Sequence, residues 1–169
     1  MKNIKKQFKL FARFPTRKSD DGGTETVYDT SDNGALLIEG IASTTNPDLE
    51  QDIVQQSAIA SMKNQAVGLN LNHDHNTHDI FEIIGSIIEV VETEDDLLKI
   101  KARVSPKYAA DIQEMLDTGI NLGLSISGDV TDYDRNTDPD DYGWKINDIN
   151  LLEISLTGLP ANWDTFGTV

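Results

Sequence analysis

Ile83-Ile-Gly-Ser-Ile-Ile-Glu-Val-Val91 and Leu97-Leu-Lys-Ile-Lys-Ala-Arg-Val104, separated by Glu92-Thr-Glu-Asp-Asp96, decide the fold class. In the second run Leu98, Ile100, Ala102 and Val104 alternate with Lys99, Lys101 and Arg103, the period of a strand with one face in a core and one in water. Two β-prone runs across a short acidic turn form an antiparallel hairpin. Ser105-Pro106 then offers an N-cap and a proline at the first helical position, Tyr108, Ile112, Met115 and Leu116 form one face, and Gly119 is placed to end the element. This predicts a helix over 106–118.

Outward from this centre the same two periods recur. Residues 5–14 alternate as a first strand, the polar run Thr16 to Asn33 reads as a mobile loop, and Leu36 to Ala42 is a second strand. Ile53, Val54, Ala58, Ile59, Met62 and Ala66 give a helical stripe over roughly 54–66, and Val67 to Leu71 is a short strand. From Leu122 to Tyr133 period two places Ser125, Ser127, Asp129 and Thr131 on one face and Ile126, Gly128 and Val130 on the other. A last strand from Trp144 to Thr157 places Leu152, Ile154 and Leu156 opposite Glu153 and Ser155. The fold expected is mainly β with α (α+β), a small closed or partly closed antiparallel β-barrel of about seven strands with two or more helices packed outside.

At 169 residues the chain suits one domain, read as a basic strand and mobile polar loop over 1–34 followed by the body, 35–169. There is no cysteine, which removes disulfides and thiolate chemistry. No apolar run approaches the roughly 20 residues of a membrane span, and no signal-peptide core is present, so the chain reads as soluble and cytoplasmic. The net charge is −15, yet residues 1–18 hold seven cations and no acid, so the remainder carries −22. Such a body is repelled by nucleic-acid phosphates.

All three histidines, His73, His75 and His78, fall in Asn70-Leu-Asn-His-Asp-His-Asn-Thr-His-Asp79. Imidazoles at this spacing can share a metal ion, so a metal-dependent hydrolase using His73, His75 and His78 is one reading. The loop Asp132 to Asp141 has oxygen donors at alternate residues but lacks the central glycine and the terminal glutamate of a calcium loop, and reads as solvated. A serine nucleophile needs a base and a group that orients the base. Here the ingredients are His73 or His75, Ser125 or Ser127, and Glu153, whose place inside Leu-Leu-Glu-Ile-Ser-Leu implies a partner or a task.

Asn72-His73-Asp74, Ile84-Gly85-Ser86-Ile87, the helix closed by Gly119, Leu124-Ser125-Ile126-Ser127-Gly128, and Leu151-Leu152-Glu153-Ile154-Ser155-Leu156 with Pro160-Ala161-Asn162 occur in that order. Over roughly residues 35–163 this set resembles the prohead (capsid maturation) proteases of tailed bacteriophages, related in fold to herpesvirus assemblins. The resemblance implies a serine endopeptidase, without a cofactor, that trims scaffold and major capsid proteins inside the assembling prohead in the host cytoplasm, with self-cleavage and a homodimer as further options. By motif it implies His73 as general base, Ser125 as nucleophile and Glu153 as orienting acid, with an oxyanion site near Gly158 to Asn162. The family's usual glycine after Ser-Ile is Ser127 here, with Gly128 one place later. The alternative from another class is a catalytically silent capsid-assembly or scaffold component with the same fold.

Overall fold

The computed structural model describes residues 10–13, 16–18, 24–26, 28–30, 34–48, 50–92, 96–135 and 143–158, with side chains from residue 34 onward. In chain order the elements are β1 (Leu10–Arg13), β2 (Thr16–Lys18), β3 (Thr24–Thr26), β4 (Tyr28–Thr30), β5 (Leu36–Thr44), β6 (Ile53–Val54), α1 (Gln56–Gln65), β7 (Asn70–His73), a 3-10 turn (Ile80–Glu82), β8 (Ile83–Val91), β9 (Leu97–Val104), α2 (Pro106–Asp117), β10 (Gly123–Arg135) and β11 (Trp144–Thr157). One sheet runs β1-β10-β11-β7-β8-β9-β5-β4, with β6 also on β11, and β2 and β3 form a separate ribbon.

The β8–β9 hairpin pairs antiparallel, with Ile87 opposite Ala102 and Val90 opposite Ile100. Its apolar face carries Ile84, Ile87, Leu98, Ile100 and Val104 into a core shared with Leu36 and Ile38 of β5 and Ala58, Ile59 and Met62 of α1. Each such large aliphatic side chain stabilises by about 1.5–3 kcal/mol on burial. Pro106 opens α2 and Gly119, at φ 81°, closes it. Glycine suits that left-handed position because it has no Cβ to clash. Ser105 stands at the N-cap without a side-chain cap bond.

Several expectations change: among the described residues eleven strands stand where about seven are expected, and the short strand expected at Val67 to Leu71 is Asn70–His73. The polar run Thr16–Asn33 contains β2, β3 and β4, the last paired with β5 through Tyr28 to Ile38. The acidic stretch begins as strand, since Asp132–Arg135 pair with Trp144–Asp148; the rest of the expected calcium loop lies outside the described residues. The sheet curls into a half-barrel with two helices and does not close. β5 approaches β1 and β10 across the curl, and β4 pairs with its edge at Leu36–Ile38, but among the described residues no ladder joins β5 to β1 or β10.

Position in this sheet decides what the central strands do. β11 lies between β10, antiparallel, and β6 and β7, both parallel. Leu124 faces Leu156 and Ile126 faces Ile154, which fills one side with aliphatic carbon. Ser125 opposite Ser155 and Ser127 opposite Glu153 fall on the other side. The ladder then skips Leu152, because Gly128 pairs with Leu151. This bulge turns Leu152 out to 49% exposure instead of inward beside Ile154.

Candidate active site

Glu153 lies on an interior strand and is buried. Burying a carboxylate demands donors, and two are present. His75 Nδ1 meets Glu153 Oε1 at 2.5 Å, and Ser155 Oγ donates to Glu153 Oε2 at 2.5 Å. Because a carboxylate only accepts, His75 carries its proton on Nδ1 and leaves Nε2 as an acceptor. Ser125 Oγ lies in hydrogen-bond contact with that Nε2. The site is dry: Ser125 is fully buried, and the side chains of His75 and Glu153 are 5% and 4% exposed.

The histidine in contact with Ser125 is therefore His75, and His73, expected there, is elsewhere. In the parallel register Asn72 pairs with Ser155 and His73 with Leu156, so strand alternation puts His73 on the aliphatic side of β11, away from Ser125. Its ring is 63% exposed and meets Glu82 Oε2 at 2.9 Å. Beyond His73 the strand stops in a tight turn, closed by Asn76 N donating to His73 O at 3.0 Å. Its two central residues, Asp74 (φ 49°) and His75 (φ 60°), are left-handed. Such a turn breaks period two and brings the His75 ring back over β11.

The turn is pinned along one strand. Asp74 N donates to Leu156 O at 3.0 Å, His75 N to Ser155 Oγ at 3.0 Å, and Thr157 Oγ1 to Asp74 Oδ1 at 2.6 Å. Asn72 Nδ2 reaches Asn76 O at 3.4 Å, and Asn72 Oδ1 is buried without a partner. Ser127 is half-buried two residues from Ser125. His78 is exposed, its N–H on Asn76 Oδ1 at 3.2 Å. Among the described residues no three His, Asp or Glu side chains gather as a metal site. Sequence reasoning misses Ser155 and Thr157, whose signal is the period-two run of polar side chains, Glu153, Ser155, Thr157, inside an apolar strand.

On the other side of β11, beside the turn, a cavity of about 240 Å³ is walled by Ile84, Ile112, Met115, Leu122 and Leu156. His73, Glu82 and Asp111 stand around it, and Gly158 borders it. Residues 159–162 of the expected oxyanion site lie outside the described residues.

The model of the caudovirus prohead serine proteases matches residues 24–168. The chain belongs to this family. The solved capsid assembly protease of bacteriophage T4, gp21, is similar in fold at a TM-score of 0.58, with 14% identity over 94% of this chain and 100% of that one. No curated protein matches in sequence. The structural likeness agrees with a mostly β domain with two helices, and the family is that of the prohead serine proteases. Among the described residues no helix is long and apolar enough to cross a membrane.

Proposed function

We propose that the chain is a serine endopeptidase of prohead maturation in which Ser125 is the nucleophile, His75 the general base and Glu153 the group that orients the base. The contact of Ser125 Oγ with His75 Nε2, continued from Nδ1 to Glu153, is the observation that carries this reading. His75 takes the hydroxyl proton as Oγ attacks a peptide carbonyl, Glu153 stabilises the imidazolium that forms, and the proton passes to the leaving amine. Water then reverses the sequence on the acyl-enzyme and frees Ser125. The substrates in this reading are scaffold and major capsid segments, the class that the family description and the T4 relative's name suggest. The apolar cavity beside the turn receives a substrate side chain.

The test is labelling by a fluorophosphonate, which needs an activated serine but no knowledge of the cleavage site, together with incubation against the capsid and scaffold proteins. Wild type is expected to label on Ser125 and to cleave, and Ser125→Ala to do neither. Labelling and cleavage that persist in Ser125→Ala would overturn the assignment. A wild-type chain that neither labels nor cleaves yet co-assembles would support the silent scaffold reading.

A further inference from the structure

We propose that Ser155 is a positioning residue of this site, holding the orienting carboxylate and the backbone of the base with one hydroxyl. The inference rests on the roles assigned above to Ser125, His75 and Glu153. Ser155 is fully buried on β11, directly opposite Ser125 in the β10 register. Its Oγ donates to Glu153 Oε2 at 2.5 Å and accepts the His75 N–H at 3.0 Å.

The single hydroxyl proton settles the direction of both bonds. An amide N–H can only donate, so Oγ accepts from His75 and its own proton goes to Glu153. That proton favours the ionised carboxylate, the form that can stabilise an imidazolium. It also fixes the second oxygen, so that Oε1 is aimed at His75 Nδ1 by two anchored atoms instead of one. The bond to the His75 backbone supports a left-handed residue, a conformation that persists only where its surroundings over-determine it. Asp74 N and the Asp74 carboxylate are tied separately, to Leu156 O and Thr157 Oγ1. Ser155 thus bonds to both His75 and Glu153.

The prediction is therefore about alignment and proton affinity, and the hydroxyl itself should matter more than the volume of the side chain. Ser155→Ala is expected to slow fluorophosphonate labelling about 10- to 100-fold, the range for losing hydrogen bonds to a charged group. With one donor lost, the pair's proton is held more tightly, so the acid limb of the rate against pH moves to higher pH. A merely structural serine would leave that limb in place. Ser155→Thr and Ser155→Val have nearly equal volume and differ in the hydroxyl, so threonine should restore most of the rate and valine should not.

All variants are made in the full chain and checked by circular dichroism, with Ser125→Ala and His75→Ala labelled in parallel. Should alanine unfold the chain, the threonine and valine pair carries the test. A slowed Ser155→Ala with a displaced acid limb, or threonine well ahead of valine, supports the proposal. Wild-type rate and limb in Ser155→Ala, or equal rates for threonine and valine, overturn it while Ser125→Ala stays unlabelled. Full labelling of Ser125→Ala or His75→Ala would instead overturn the assignment beneath it.

Discussion

His73 and His75 stand two residues apart and end on different carboxylates, His73 Nδ1 on Glu82 Oε2 at 2.9 Å and His75 Nδ1 on Glu153 Oε1 at 2.5 Å. Only the second ring also touches a serine. We expect His75→Ala to lower fluorophosphonate labelling by about 10⁴-fold or more, as removal of a triad base does. His73→Ala loses only an exposed contact with Glu82 and should label within a few-fold of wild type. An inactive His73→Ala beside an active His75→Ala would move the base back to the strand end.

A cavity that receives a substrate side chain, as proposed above, would separate binding of substrate from reactivity of the serine. Met115 is 41% exposed at its wall, so Met115→Trp can fill it from the rim without forcing the core apart. Cleavage of the capsid or scaffold protein should fall about 10-fold or more, the scale of a mismatched apolar pocket. Labelling by a small fluorophosphonate should stay near the wild-type rate. Parallel loss of both would mean that the substitution disturbs the turn instead of the substrate.

Asp48 is buried in the loop before β6, its Oδ1 accepting from Glu50 N at 2.8 Å and Asp52 N at 2.9 Å. Burial outweighs these bonds and raises its pKa from 3.8 to about 6. The folded state thus holds a proton that the unfolded chain releases near pH 4. Stability should fall as pH rises from about 4 to 6, by as much as about 3 kcal/mol, and then level off. Asp48→Asn keeps an acceptor and removes the charge, so it should be the more stable protein at pH 7 and lose that slope. Urea midpoints of both proteins at pH 4.5 and 7 check this; parallel slopes would show that Asp48 is not the source.

Gly128 sits at the bulge that leaves Leu152 unpaired. A Cβ there would lie 2.4 Å from Asn150 O and 2.9 Å from Ile149 Cγ1. A ladder carbonyl cannot step aside without loss of pairing, so Gly128→Ala should cost about 1–3 kcal/mol, the scale of overpacking. It should also slow labelling, because the same bulge sets where Glu153 falls. Unfolding at the wild-type urea concentration would show that the bulge can slide.

Period two and the helical caps carry local structure, and the elements they define are visible in the sequence. β8, β9 and β11 span Ile83–Val91, Leu97–Val104 and Trp144–Thr157, the limits that alternation alone indicates, and α2 ends one residue before the expected limit. Glu153 is legible as a site candidate because a polar residue inside an apolar strand needs a partner, and Ser125 through the family resemblance of its motif. The histidine is not, because alternation holds only while φ stays negative. Asp74 and His75 leave that region, and Asp and His are among the residues that do so most readily. Composition therefore hinted at a turn but not at its hand. The open edge at β4 and the parallel pairing of β7 with β11 depend on contacts distant in the chain, which no local pattern encodes.

Strand β11 lies between the segments that bear Ser125 and His75, and it alone brings Glu153, Ser155 and Thr157. A growing polypeptide exposes the histidine and the serine, fifty residues apart, before that strand leaves the ribosome. Until then the sheet lacks the strand that lies between them. In the protease proposed above, the site would therefore be complete only once this late segment lies between two earlier ones.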